Sequence, residues 1–175
     1  MCGRSRTGAA IRTAGCRCAP DAIGLSTAPR SRDTARAMSQ ENVEVVRAIY
    51  ECWARGDFRT TADKVAPDFE WKQIHGVVEP GSHVGADANR ALRSIFEAYE
   101  DFRVEAEEYV DAGDTIIVVA HAQGTGRGSG LHMDQRLAQA WTVLDGTPVR
   151  MEQYPSRKDA LEAVGLSEQD ARADS

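Results

Sequence analysis

The chain has 175 residues, of which 42% are hydrophobic, and this length suits one well-filled domain with a tail rather than two domains. No run of apolar residues approaches the roughly 18 that a membrane span requires, so the composition predicts a soluble, cytoplasmic protein without membrane contact. The net charge of −6 divides into +5 on residues 1–37 and −11 on the remainder. The acidic remainder, residues 38–175 or the body of the chain, repels phosphate backbones, which argues against nucleic-acid binding.

The first 37 residues are rich in Arg, Ala and Ser and lack aromatic residues and apolar periodicity. Such a segment buries too little surface to offset its chain entropy, which predicts a disordered tail. A start of translation at Met38 is the favoured alternative, and residues 38–175 are predicted to form the single domain. Three of the four cysteines lie in the tail without the spacing of a zinc site, and Cys52 is expected to be a buried small hydrophobe.

The body opens with the strongest helix signal in the chain. Ser39 suits the N-cap position, and acidic residues follow in the first turn. Large apolar residues then recur at helical spacing, namely Val43, Val46, Ile49, Tyr50 and Trp53. This stripe predicts an amphipathic helix from Ser39 to about Gly56. A second, short helix is predicted from Phe58 to about Val65, because Pro67 follows.

The remaining elements are mainly strands. Residues 69–72 alternate apolar and polar side chains as a half-buried strand does, and a loop is predicted from there to Gly85. A third helix is predicted over residues 86–99, and the last helix, over residues 157–164, has Ser156 as its N-cap. Four strand-like segments joined by glycine-containing turns lie between these helices, namely Phe102–Val110, Thr115–Gln123, Gln135–Leu144 and Val149–Tyr154. Consecutive strands joined by tight turns indicate an antiparallel meander.

Several sequence segments of the body resemble those of one known family. They are Asn42-Val43-Glu44-Val45-Val46-Arg47, Pro67-Asp68-Phe69-Glu70-Trp71, Trp141-Thr142-Val143-Leu144-Asp145-Gly146 and Asp159-Ala160-Leu161-Glu162-Ala163-Val164-Gly165. With the order of the elements, they resemble SnoaL-like proteins of the nuclear transport factor 2-like superfamily over essentially all of residues 38–175. The resemblance implies an α+β fold, a cone-shaped, curved, mostly antiparallel sheet wrapped by about three helices around an internal pocket, with a short C-terminal helix. It also implies a homodimer.

This resemblance allows the catalytic positions of related enzymes to be compared with the chain. Steroid isomerases of this fold place a carboxylate base just after the first strand, where this chain has Gln73, and glutamine cannot accept a proton at neutral pH. Their tyrosine of the first helix falls on Ile49, with Tyr50 one residue out of phase. Their second donor, a protonated acid, falls at or beside Gln139. The comparison does not favour isomerase chemistry by this route.

Epoxide hydrolases of the limonene type provide a second comparison. They place a carboxylate just before a tyrosine on the last strand, where this chain has Gln153. Glu152 is adjacent, but side chains alternate along a strand, so Glu152 is expected to point to the other face of the sheet. Their Arg-x-Asp pair has no match in residues 119–121. Hydrolysis by this route is not predicted.

His121 is the candidate catalytic residue. It follows the apolar run of residues 116–120, and an imidazole that titrates near neutrality suits the proton transfer of a polyketide cyclase. The alternative is a histidine on the solvent-facing side of the sheet or one hydrogen-bonded in the core, and it stays open because alternation along this strand is ambiguous. The other histidines, His75, His83 and His132, lie in predicted loops without metal-ligand spacing. No metal and no cofactor are therefore predicted.

The candidate ligand-binding residues are aromatic or uncharged polar side chains, namely Tyr50, Trp53, Trp71, Gln73, Gln139 and Gln153. Apolar walls with a few polar groups are typical of small-molecule sites, although the tryptophans also fit a simple core. The sequence predicts a protein that binds a small, largely apolar organic molecule, either as a cyclase- or isomerase-like enzyme or as a non-catalytic binder. The alternative from another class is a non-catalytic, dimeric structural or interaction module whose cavity is filled by side chains.

Overall fold

The computed structural model of the chain describes residues 32–73 and 81–169, with side chains from residue 37 onward. Its elements in chain order are α1 (Arg32–Ala54), a 3₁₀ helix (Thr60–Asp63), β1 (Glu70–Gln73), β2 (Gly81–Val84), α2 (Ala86–Ala98), β3 (Tyr99–Ala112), β4 (Thr115–Gly126), β5 (His132–Leu144), β6 (Thr147–Tyr154) and α3 (Arg157–Ala163). The helices pack against one mixed sheet, so the predicted α+β class and the short C-terminal helix are confirmed.

The sheet has six strands in the order β2-β1-β6-β5-β4-β3. The last four strands form the predicted antiparallel meander. β1 pairs in parallel with β6, and β2 pairs antiparallel with β1. Shifts of register interrupt the β3–β4 ladder twice and the β5–β6 ladder between Thr142 and Val143. Because such irregularities bend a strand and increase its twist, they account for the curvature of the sheet.

The two faces of the sheet carry separate cores. Alternate side chains of a strand belong to opposite faces. α1 and α2 cover the inner face, where the larger core includes Trp53 of α1 and Trp141 of β5. α3 covers part of the outer face, where a smaller core includes Ile117 of β4 and Leu161 of α3. The site described below lies on the inner face.

α1 buries the stripe that the sequence predicts but begins earlier than expected. Val46, Ile49 and Trp53 are all buried against the inner face. The helix begins at Arg32, so Ser39 lies within it and is not its N-cap. The Ser39 hydroxyl donates instead to the carboxylate of Asp111 on β3. The last residues of the predicted disordered tail are therefore helical, and residues 1–31 lie outside the described part of the chain.

Other differences from the sequence prediction are local. The segment predicted as a loop before α2 contains the short strand β2, while residues 74–80, including His75, lie outside the described residues. The second helix is a single 3₁₀ turn.

At α3, the Ser156 side chain accepts a hydrogen bond from the backbone N–H of Asp159, which confirms the predicted N-cap. Within the described ranges, no helix is long and apolar enough to cross a membrane.

Candidate functional site

A cavity of about 470 Å³ opens on the inner face of the sheet. α2 forms one wall with Leu92, Ile95 and Phe96, and the opposite wall includes Val104 of β3 and Leu137 of β5. The volume lies within the range of roughly 300–1,000 Å³ that is usual for small-molecule sites. The cavity therefore lies between α2 and the inner face of the sheet.

Four glutamines line this cavity, namely Gln73, Gln135, Gln139 and Gln153. Three of them form one row across neighbouring strands. Gln73 of β1 pairs with Gln153 of β6, and Gln153 pairs with Gln139 of β5. Since paired strands are about 5 Å apart, the three amides are neighbours on one surface. Gln135 was missed by the sequence analysis, although alternation along β5 places residues 135 and 139 on the same face.

Gln139 is held in place by Tyr50 of α1. The Tyr50 hydroxyl donates to Oε1 of Gln139, and Nε1 of Trp141 donates to the Tyr50 oxygen at 3.1 Å. Tyr50 is not among the described residues that line the cavity, so the structure places this predicted ligand-binding residue behind Gln139. Complete burial raises the pKa of Tyr50 well above its ordinary value. Burial therefore favours the neutral hydroxyl of Tyr50, which supports the cavity wall as a hydrogen-bond donor.

The tryptophans divide between the cavity and the core. Trp53 and Trp71 line the cavity, whereas Trp141 is fully buried beside Trp53, with ring centroids 5.8 Å apart. Nε1 of Trp53 donates to Oγ1 of Thr61 at 2.6 Å. Nε1 of Trp71 is buried and has no hydrogen-bond partner within residues 37–73 and 81–169. Trp71 thus brings an aromatic surface to the cavity, while its N–H is enclosed by the protein.

His121 and Glu152 lie on the outer face of the sheet. The β4 side chains that enter the inner core are Ile116, Val118, Ala120 and Ala122, and His121 alternates with them. Nε2 of His121 is 2.7 Å from Oδ1 of Asp134, and this hydrogen bond lowers the pKa of the Asp134 carboxyl. Nζ of Lys72 is 3.2 Å from Oε1 of Glu152. The structure therefore brings neither His121 nor Glu152 to the row of glutamines.

The described residues that line the cavity include no carboxylate, imidazole, lysine or arginine. A glutamine amide donates and accepts hydrogen bonds without ionising. These side chains can orient a bound molecule and stabilise charge that develops on it, but they hold no group that exchanges a proton near neutral pH. Across the described part of the chain, no three or more His, Cys, Asp or Glu side chains are grouped as metal ligands would be.

A second cavity of about 380 Å³ adjoins the first one. The two share an apolar wall formed by Trp53, Leu92, Phe96, Tyr99 and Phe102. The second cavity is also lined by exposed charged residues of both signs, namely Asp57, Arg59, Arg93, Glu97, Asp101 and Arg127. Because these side chains are hydrated and their charges balance, the glutamine-lined cavity is the better candidate for a small-molecule site.

Comparison with known proteins identifies the relatives of this chain. A sequence profile of the SnoaL-like domain matches residues 46–151, which span α1 to β6 and most of the cavity wall. None of the curated proteins matches the chain.

Solved structures share the fold. A nuclear transport factor 2-like protein from Burkholderia thailandensis E264 has 29% identity and a TM-score of 0.57, covering 65% of this chain and 88% of its own. A candidate SnoaL-like polyketide cyclase from Jannaschia sp. CCS1 has 20% identity and a TM-score of 0.56, covering 66% and 85%. A protein with a ketosteroid isomerase-like fold from Catenulispora acidiphila DSM 44928, in complex with trimethylamine, has 18% identity and a TM-score of 0.56, covering 70% and 93%. With the profile match over more than half of its length, the chain belongs to the SnoaL-like domain family.

Proposed function

We propose that this protein binds a small, uncharged and largely apolar organic molecule in the inner-face cavity. The observation that carries the proposal is a cavity of about 470 Å³ whose described lining combines apolar side chains with uncharged polar ones, four glutamines among them, and includes no Asp, Glu, His, Lys or Arg. Apolar walls favour apolar ligands, and a few amides orient them. A charged ligand would lose its hydration there without gaining a counter-ion among the described residues.

Aromatic side chains favour a ligand with rings. Trp53, Trp71 and Phe96 all line the cavity, and flat aromatic surfaces pack well against flat or fused rings. By analogy with the Jannaschia neighbour, which is described as a candidate polyketide cyclase, we propose a ring-containing, polyketide-like molecule as the ligand class.

Binding is a better supported function than proton transfer. A cyclase- or isomerase-like reaction needs a group in the cavity that gains or loses a proton near neutral pH. His121, the candidate from the sequence, lies on the outer face beside Asp134. The amides that line the cavity would stabilise a developing oxyanion without transferring a proton.

The test uses the full chain, purified gently and examined by native mass spectrometry before and after denaturation. We expect excess mass that is released on denaturation, or a thermal shift with neutral molecules of two or three fused rings. The variant Ala122→Phe places a ring in the cavity and should abolish binding. Gln123→Phe is the matched control, because it introduces the same ring at the neighbouring, exposed position on the outer face.

Each outcome bears on the proposal. Binding that Ala122→Phe removes and Gln123→Phe retains would support the inner-face cavity. Equal binding by both variants would place the ligand elsewhere and contradict the proposal. The same mass spectrum tests the homodimer that the family resemblance implies, and a dimer with neither adduct nor thermal shift would favour the structural or interaction module instead.

A further inference from the structure

The hydrogen-bond chain behind the cavity runs in one direction. An indole N–H can only donate, and Nε1 of Trp141 donates to the Tyr50 oxygen at 3.1 Å. The Tyr50 hydroxyl can donate only one hydrogen bond, and Oε1 of Gln139 accepts it. All three side chains are buried, with at most 5% of their surface exposed. The chemistry of Trp141 therefore fixes which end of the Gln139 amide faces Tyr50.

The same chain fixes what Gln139 offers to a ligand. Because its Oε1 accepts from Tyr50, the Nε2 group with its two N–H donors remains for the cavity. Gln73 and Gln153 have no side-chain hydrogen bond within the described ranges that would hold either end of their amides toward the cavity. Among the four glutamines, Gln139 is thus the one whose direction the described contacts fix, and it offers donors to the cavity.

We propose that the cavity selects molecules with a hydrogen-bond acceptor oxygen, such as a neutral ketone, and that Tyr50 is the positioning residue that imposes this preference through Gln139. The inference rests on the proposed function and narrows its ligand class. A neutral carbonyl suits the site better than a carboxylate, because no arginine or lysine is among the described lining residues. A ligand whose polar group only donates would leave the Nε2 group of Gln139 without an acceptor.

Three probes of the same tricyclic shape separate these possibilities. 9-Fluorenone carries only an acceptor, carbazole carries only a donor, and fluorene carries neither. We expect equilibrium dialysis with the full chain to show about tenfold tighter binding of 9-fluorenone than of fluorene or carbazole, the usual effect of one good hydrogen bond. The infrared carbonyl stretch of bound 9-fluorenone should lie at lower frequency than in an apolar solvent.

Two variants test the assigned residues. Gln139→Met keeps the length of the side chain and removes the donors, so 9-fluorenone should bind no better than fluorene and its carbonyl stretch should return to the higher frequency. Tyr50→Phe releases Oε1 of Gln139, so the amide can turn. The preference for 9-fluorenone over carbazole should then shrink several-fold. Gln123→Met on the outer face is the matched control and should leave the preference unchanged.

The outcomes distinguish this inference from the proposed function. If none of the three probes binds, the proposed site and the acceptor preference both fail. If all three bind equally, or if Gln139→Met leaves the preference and the carbonyl stretch unchanged, the cavity binds apolar rings and the inference alone is overturned. If Gln139→Met removes the preference and Tyr50→Phe retains it in full, the role assigned to Tyr50 is wrong.

Discussion

Replacing Tyr50 with phenylalanine removes a single oxygen atom from the core and affects two buried partners. Nε1 of Trp141 loses its acceptor at 3.1 Å in a side chain that is 0% exposed. A buried donor without a partner costs about 1–3 kcal/mol. Oε1 of Gln139 loses its donor as well, but this amide borders the cavity and can turn toward it, so its contribution is smaller. We expect the free energy of unfolding of Tyr50→Phe to be about 2 kcal/mol lower than that of the unaltered protein.

The measurement is urea denaturation followed by tryptophan fluorescence. Tyr109→Phe is the matched control, because Tyr109 is only partly buried and its hydroxyl has no hydrogen-bond partner among the described residues. The control should change the free energy of unfolding by less than about 0.5 kcal/mol. If Tyr50→Phe costs no more than Tyr109→Phe, the hydrogen-bond chain from Trp141 to Gln139 does not stabilise the fold, and the direction assigned to it loses its basis.

Three further predictions concern the frame around the site. Gly124→Ala should lower the free energy of unfolding by about 1–3 kcal/mol in the same assay, because an added Cβ would lie 3.0 Å from Cδ2 of Phe102; an unchanged midpoint would contradict this close approach. Arg157→Ala should cost about 0.5–1 kcal/mol at low salt and less at high salt, since it removes two partly exposed hydrogen bonds of 2.9 and 2.8 Å to Glu108. Burial raises the pKa of Tyr154 to about 12, so the free energy of unfolding should fall as the pH rises from about 10, where unfolded tyrosine ionises, toward 12. In the Tyr154→Phe variant this fall should be less steep. Titration of the variant, followed by ultraviolet absorbance, should lack one phenol that ionises at unusually high pH in the unaltered protein.

Local patterns predicted most of the frame because the information they need is local. Helical spacing identified the buried face of α1, and glycine-containing turns identified the hairpins, where Gly113, Asp145 and Gly146 have positive φ angles of 82°, 49° and 72°. The parallel pairing of β1 with β6 was not predicted, because these strands are far apart in the sequence and neither has a local sequence feature that identifies its partner strand. β2 was missed because a four-residue strand is too short for alternation to show.

The face of His121 could not be predicted from β4 alone. Ile116, Ile117 and Val118 are consecutive and all fully buried, although consecutive side chains point to opposite faces. The reason lies elsewhere in the chain, since α3 covers the outer face at this end and Leu161 packs in the same cluster as Ile117. A strand covered on both faces reads as a continuous apolar run. His121 lies on the outer face with Asp134, which is one of the two arrangements that the sequence left open.

The role of Tyr50 shows a second limit of sequence reasoning. Spacing along α1 correctly predicted that Tyr50 faces the sheet, but contact with the cavity depends on which side chain lies between Tyr50 and the cavity. Gln139 occupies that position, so Tyr50 acts on the site only through an amide. The same hydrogen bond connects α1 directly to the row of glutamines on the sheet, so that the helix that stabilises the core also sets the polarity of the cavity.

The amide of Gln139 differs physically from a carboxylic acid in the same surroundings. A buried acid donates only while protonated, so its hydrogen bonding depends on pH and on how strongly burial raises its pKa. The Nε2 group of Gln139 donates without ionising, and burial raises the pKa of Tyr50, which favours its neutral, donating form. A glutamine therefore lacks the ability to exchange a proton but can still hold an acceptor oxygen. That is the combination expected of a cavity that recognises a neutral carbonyl compound.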